Sequence, residues 1–228
     1  MFFATNLSES MPEFTFSEEE SKHCIRVLRH SVGDKIQVVN GKGFLFETQI
    51  LDANPKKCLV KVLSCQHFHA GPMLHLAVAP TKNMDRMEWL VEKGVELGCT
   101  HFSFVLTQRS ERTRVPLERL DKIAVSAMKQ SNRYYLPAID APESLSEFIK
   151  KHPDGYIAHC VNDQPRFVDF SALPHRMLIG PEGDFTLEEI AMVLGLNYRP
   201  VSLGEARLRT ETAALKSIIL MAHAAEHG

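Results

Sequence analysis

The sequence predicts an α/β protein in two parts, a small β-rich domain over residues 1–70 and a larger domain over residues 71–228 whose mostly parallel sheet is covered by helices. Three observations lead there. Short strand-like runs separated by Asn-Gly and Asn-Pro turn signals fill residues 35–63. Gly71-Pro72 then reads as a linker. Beyond it, apolar runs of strand length alternate with amphipathic runs of helix length, as in βαβ units.

In the first part, residues 17–30 read as a helix. Ser17 and Glu20 have capping-box spacing, and Cys24, Ile25 and Leu28 fall on one face. Lys22, Arg26 and Arg29 fall on the opposite face, a stripe suited to phosphates, although such a stripe is also what an ordinary solvated face carries. Lys35 to Val39 and Phe44 to Leu51 flank the turn Asn40-Gly41-Lys42-Gly43, and Leu59 to Leu63 follows a second turn at 54–57. A small β-barrel or sheet with one helix fits.

In the second part, Met73 to Ala79 is a strand. Asn83 to Leu97 is a helix stopped by Gly98, with Met84, Met87, Leu90, Val91 and Val95 on its apolar face. His101 to Thr107 is the next strand, and Pro116 opens another helix. Ser144 with Glu147 caps a short helix. Tyr156 to Cys160 and Arg176 to Ile179 are strands, Thr186 with Glu189 caps a helix, Val201 to Leu203 is a last strand, and a final helix starts near Thr210.

With 44% hydrophobic and 24% charged residues, the composition is that of a globular protein with material for a core. No run approaches a membrane span and the first residues lack signal-peptide features, so a cytoplasmic location is expected. The five cysteines are scattered and form no CxxC pair, and no metal site is expected. A formal net charge of -2 excludes coating nucleic acid by bulk electrostatics, so any such contact must be local.

Ligands of such sheets sit at the C-terminal strand ends, which points to the loops after Ile179 and Leu203. Gly180-Pro181-Glu182-Gly183-Asp184 pairs glycines that allow close backbone approach with a rigid proline, though ordinary turns share that composition. Glu182 and Asp184 would repel a phosphate, so a cationic, hydroxyl-bearing ligand suits the loop better, and S-adenosylmethionine is such a ligand. In the second loop, Thr210 reads as a helix N-cap and Glu211 as a partner of the helix dipole. Arg207 and Arg209 sit where positive charge does not help a helix, which suggests substrate contact.

The run Leu178-Ile179-Gly180-Pro181-Glu182-Gly183 with Thr186 and Glu188 or Glu189, the run from Leu203-Gly204 through Leu208-Arg209-Thr210-Glu211-Thr212-Ala213, and Asp85-Arg86-Met87-Glu88-Trp89 with Lys93 and Glu96-Leu97-Gly98 resemble the RsmE family of small-subunit ribosomal RNA uridine N3-methyltransferases. His23 with Val27-Leu28-Arg29, and Gln130 with Arg133 and Pro137, extend the resemblance over nearly the whole chain. Asp184 stands where the family usually has glycine, Asn132 where it often has glycine, and Met1-Phe2-Phe3-Ala4 lacks the arginines of many members.

The resemblance implies a PUA-like N-terminal RNA-binding domain and a C-terminal SPOUT domain whose chain forms a trefoil knot. It implies a homodimer that uses S-adenosylmethionine to methylate N3 of uridine 1498 in 16S ribosomal RNA of the small subunit. The cofactor-binding residues expected are Leu178, Ile179, Gly180, Pro181, Glu182, Gly183, Ser202, Leu203, Gly204 and Leu208. Lys22, Arg26, Arg29 and Arg133 are expected to bind RNA. Arg209 is expected to steady charge on the uracil, and Glu211 or Glu182 to accept the N3 proton. Two other readings stay open: a knotted 2'-O-ribose methyltransferase of transfer or ribosomal RNA, and a non-catalytic RNA-binding assembly factor. The last helix, apolar on much of its circumference from Ala213 to Ala225, is consistent with a homodimer or with burial inside one subunit.

Overall fold

A computed structural model describes residues 1–161 and 175–227. The chain divides into two compact units, Met1–Gly71 with Val125–Leu136, and Pro72–Ala124 with Pro137–Gly228. A cut at residue 70 therefore misses one exchange. Val125–Leu136 joins the first unit through Leu136 N, which donates to Gly41 O at 2.9 Å, and through Tyr134 O, which accepts from Gly43 N at 2.9 Å. Lys129 Nζ adds an ion pair to Glu20 at 2.6 Å.

The first unit holds β1 (Phe2–Phe3), β2 (Glu13–Thr15), β3 (Lys35–Val39), β4 (Phe44–Asp52) and β5 (Leu59–His67) in one sheet of order β1-β3-β4-β5-β2. Only the β1–β3 pairing is parallel. Asn40 Oδ1 accepts from the amides of Lys42 and Phe44 and so shapes the β3–β4 turn. Inward residues Phe2, Phe16, Val38, Phe46, Ile50 and Val60 make the core, with Cys24 beneath them.

The helix expected over 17–30 is shorter and irregular. Ser17 accepts from Glu20 N, and α1 (Glu18–Lys22) passes into a π-turn, His23–Val27. The other half of the expected capping box is missing, and Glu20 Oε1 instead accepts from Lys129. The π-turn, closed by Leu28 N donating to His23 O at 3.0 Å, inserts an extra residue and rotates the residues after it about the helix axis. Leu28, expected on the core face, is consequently 48% exposed. Arg29 ends the element at φ 59°.

The second unit runs β6 (His75–Val78), α2 (Met84–Glu96), β7 (His101–Leu106), α3 (Leu117–Gln130), whose second half belongs with the first unit, β8 (Ala138–Ile139), β9 (Glu143–Ser144), α4 (Leu145–Lys151), β10 (Asp154–Ala158), β11 (Arg176–Ile179), α5 (Leu187–Leu194), β12 (Asn197–Val201) and α6 (Thr210–His227). The strand order is β12-β10-β11-β6-β7-β8, β9 also pairs with β7, and every pairing among the described residues is parallel. Both expected capping boxes form, at Ser144 with Glu147 and at Thr186 with Glu189. β12 starts four residues earlier than Val201, and it contains Pro200. An edge strand tolerates a proline that a central strand would not.

One sheet face packs Leu145, Phe148 and Ile149 of α4 and Ile190 and Val193 of α5 over Ala77, Ile157 and Leu178. α6 packs on α2, β6 and β11.

A polar chain with a buried centre at His75, Ser103 and Arg176 and half-buried ends runs along the N-terminal edge of four strands. Arg176 Nε donates to His75 Nδ1 at 3.0 Å, and Arg176 Nη1 also donates to Asp154. His75 Nδ1 must then be the unprotonated nitrogen, so Nε2–H donates to Ser103 Oγ at 2.8 Å, which donates to Asp140 Oδ2 at 2.6 Å. His101 Nε2 reaches the same oxygen at 2.6 Å, and its ring stacks on His75 at 4.0 Å.

Burial and the nearby His101 and Arg176 push the His75 pKa down to about 2. The unfolded state, with a pKa of about 6.5, binds a proton that the folded state refuses. This group therefore contributes a loss of stability as pH falls from about 6.5 towards 2, by about 1.4 kcal/mol per pH unit. Denaturant melts at pH 7.5 and pH 5.5 should show that loss, and H75Q, which keeps an acceptor for Arg176 and a donor for Ser103, should reduce it. Identical pH dependence in the two proteins would refute the assignment.

Candidate active site

Three neighbouring strands of the second unit end at one level, because Ala158 of β10 is in register with both Ile179 of β11 and Val201 of β12. Their exits enclose a cavity of 350 Å³. It is lined by Ala158, His159 and Cys160 after β10, by Ile179 to Glu182 and Asp184 after β11, by Val201, Leu203, Gly204 and Ala206 to Arg209 after β12, and by Thr210 and Ala213 at the start of α6. A smaller set, including Cys160, Asp184, Gly204 and Arg207, also borders an adjoining cavity of 510 Å³ that reaches Arg109 and Leu187.

The two loops singled out in the sequence are hydrogen-bonded to each other. Thr210 Oγ1 donates to Gly180 O at 3.2 Å, and Arg207 Nη2 to Glu182 O at 3.3 Å. Thr210 is thus not the N-cap expected of it; Arg209 holds that position, its carbonyl accepting from Ala213 N at 2.8 Å, and the Thr210 hydroxyl is spent on the neighbouring loop. The loop after β7 braces the other side. Arg109 Nη1 donates to Gly183 O at 2.6 Å, and Glu189 Oε1 accepts from Gln108 N at 2.8 Å while Oε2 closes the α5 cap.

The two glycines matter for different reasons. A Cβ on Gly180 would lie 3.0 Å from the buried ring of Phe185, so the constraint there is close packing. Gly204 has φ 106°, a conformation L side chains rarely adopt, and the nearest atom to an added Cβ would be Lys216 Nζ at 3.4 Å. The constraint there is the backbone.

Of the residues expected at a cofactor site, Ile179, Gly180, Pro181, Glu182, Leu203, Gly204 and Leu208 line the cavity, as does Arg209. Leu178 is buried inside β11, Gly183 meets Arg109 through its carbonyl, and Ser202 Oγ accepts from Gly204 N. None of these three is among the lining residues. Glu211 is not among them either: it is 7% exposed, with Oε1 3.6 Å from Arg86 Nε on α2. Lys22, Arg26 and Arg29 are exposed on the first unit, and Arg133, half-buried in the Val125–Leu136 segment, belongs with them. Burial lowers the pKa of the Arg133 guanidinium.

Sequence reasoning missed His159, Cys160, Ala206 and Thr210 as lining residues, whereas Asp184, read there as a charge of the loop, does line the cavity. The signal for the first two was present, since a strand ending at Cys160 must empty at the same sheet edge.

The lining suits a ligand that is part apolar and part cationic. Ile179, Pro181, Leu203, Leu208 and Ala213 offer an apolar wall, and the exposed carboxylate of Glu182 offsets positive charge. Among the described residues, His75, His101 and Asp140 bring ligand-type atoms within 4.8 Å of one another, at the opposite sheet edge. The guanidinium of Arg176 occupies the His75 Nδ1 lone pair and leaves Nε2 protonated, so His75 has no lone pair for a metal in this arrangement.

Replacing Gly204 by alanine should cost about 1 to 3 kcal/mol from the forced left-handed backbone. A thermal melt unchanged from wild type would show that the loop relaxes freely.

Residues 69–222 match the RNA methyltransferase domain family, and residues 16–63 match the RNA methyltransferase PUA domain. The chain is 32% identical to the ribosomal RNA small subunit methyltransferase E of Synechocystis over 87% of its own length and 69% of that protein. It is 27% identical to the protein of that name from Bacillus subtilis, over 96% of this chain and 93% of the other. Among solved structures, a probable rRNA-methyltransferase from Porphyromonas gingivalis superposes with a TM-score of 0.86 at 36% identity, covering 95% of this chain and 94% of that one. A Legionella pneumophila methyltransferase solved with the bound cofactor SAM gives a TM-score of 0.82 at 27% identity, covering 96% and 95%.

Proposed function

Because this chain belongs to the RNA methyltransferase family and carries that family's PUA domain, we propose that the cavity at the ends of β10, β11 and β12 takes S-adenosylmethionine for methylation of uridine N3 at position 1498 of 16S ribosomal RNA. The enzyme is an S-adenosylmethionine-dependent ribosomal RNA methyltransferase, in keeping with relatives named ribosomal RNA small subunit methyltransferase E and with the SAM-bound Legionella protein. The observation that carries the site is the meeting of two separated glycine loops, tied by the Thr210–Gly180 bond, around one cavity with a carboxylate-bearing wall.

The cofactor supplies a methyl group activated by its sulfonium. The chain's part is to position and to handle a proton. Backbone groups of Ile179 to Glu182 and of Leu203 and Gly204 would hold the adenosine, and the Glu182 carboxylate would offset the cofactor's positive charge. Uridine N3 is a poor nucleophile until its proton leaves. Arg209, at the cavity wall, steadies the negative charge that then spreads to the uracil oxygens. Of the two carboxylates considered for the proton, Glu182 lines the cavity and Glu211 is paired with Arg86, so Glu182 is the better placed. Lys22, Arg26, Arg29 and Arg133 contact RNA phosphates from the PUA-like unit.

Three further expectations accompany this reading. The chain of the second unit is expected to form the SPOUT superfamily's trefoil knot, as the family resemblance implies. A homodimer is supported by the stripe Leu215, Ile219 and Ala222 on α6, where Ile219 is 51% exposed. The enzyme works in the cytoplasm, where ribosomes are assembled; no helix among the described residues is long and apolar enough to cross a membrane.

Deleting the gene should remove methylation at N3 of that uridine in 16S ribosomal RNA, as read by nucleoside mass spectrometry. A lost ribose methyl, or no loss, would overturn the assignment. In purified protein, G204V should abolish S-adenosylmethionine binding in a calorimetric titration, whereas R209A should bind normally and methylate more slowly. Replacing Arg26 and Arg29 together by glutamate should weaken RNA binding and flatten its salt dependence, leaving cofactor affinity intact. An unaltered salt slope would remove those two arginines from the interface.

A further inference from the structure

Asp184 has a left-handed backbone, φ 62°, directly after the Gly180–Gly183 run. Its amide donates to Pro181 O at 2.9 Å and closes a tight turn. Its carboxylate then does something the turn itself does not require. Oδ1 accepts from Phe185 N at 2.8 Å, and Oδ2 accepts from Cys160 N at 2.7 Å, across 24 positions of sequence.

The β10–β11 ladder ends at Ala158 and Ile179. Cys160 lies two residues past that end, where no strand partner is left for its amide. The Asp184 carboxylate takes over as acceptor and extends the joint between the two strand exits. Charge-assisted bonds of this kind are short and directional, so both exits are held at a set separation. Cys160 and Asp184 border the cofactor cavity and the adjoining one, which puts the tie in the wall the two cavities share.

We propose that Asp184 is a positioning residue for methyl transfer: its carboxylate clasps the β10 exit at Cys160 to the turn after β11, so that the cavity wall is formed before the cofactor enters. The proposal rests on the cofactor reading of that cavity. Asp184 need not touch the cofactor; it acts through the backbone of Cys160 and Phe185. Preorganisation of this sort appears in the affinity for the bound species more than in the rate once the site is filled.

The test compares wild type, D184G, D184N and G204V in full-length protein. Glycine removes both carboxylate bonds but suits a positive φ, so D184G should stay folded, as its thermal melt will show. Its dissociation constant for S-adenosylmethionine should nonetheless rise about fivefold, with KM for the cofactor rising in step and kcat at saturation preserved. D184N keeps one acceptor oxygen and tolerates the left-handed backbone, so it should recover part of the affinity. Hydrogen exchange at the Cys160 amide should be faster in D184G than in wild type. If G204V abolishes binding while D184G binds and exchanges like wild type, the clasp is overturned and the cofactor site stands. If G204V also binds normally, the cavity is misassigned and the proposal falls with it.

Discussion

The register of three parallel strands is the constraint on which the catalytic unit depends. Ala158 pairs with both Ile179 and Val201, so β10, β11 and β12 must empty at one level of one edge. A parallel sheet cannot bring its strand exits together in any other way, because each strand enters from the far edge. Given that level edge, the loops after β11 and β12 need only two side-chain bonds to become a single wall, from Thr210 to Gly180 and from Arg207 to Glu182. The strand between them, β10, contributes the third side.

The opposite edge of the same strands is built on a different principle. Arg176, His75, Ser103, Asp140 and His101 form a directed polar chain in which each donor has its acceptor. Buried polar groups left partly satisfied are costly, and this chain is closed by the carboxylate of Asp140 at one end and by Asp154 at the other. The N-terminal strand ends are thus joined side chain to side chain, whereas at the C-terminal ends side chains bond backbone groups of the neighbouring exit around a cavity. Phe185 connects these ends to the core: its ring lies against Gly180 and packs in the cluster with Leu178 and Ile157.

In the first unit the recognisable helix signals are present but the helix is not regular. Glu20 has the spacing of a capping partner and is taken by Lys129, from a segment more than a hundred residues later. The π-turn at His23–Val27 leaves Val27 and Leu28 exposed beside Arg26 and Arg29. An RNA-facing surface at this place would combine charge with apolar contact.

Local chemistry was legible in the sequence. The hairpin at Asn40, the capping boxes at Ser144 and Thr186, and the βα alternation after residue 72 come from spacings of a few residues, and the structure contains each of them. The two glycine loops were also visible, because a backbone that must approach closely or turn left-handed leaves glycine behind. Strand order was not legible, since periodicity says nothing about which strands are neighbours; that the exit at His159 and Cys160 lies beside those of β11 and β12 came only from the fold. Nor were the contacts that redirect a side chain from a local partner to a distant one: Thr210 to Gly180 instead of its own helix end, Glu20 to Lys129 instead of its own N-cap, and Asp184 to Cys160. Each of those residues has a sound local role by sequence, and only the folded chain brings the stronger competitor within hydrogen-bonding distance.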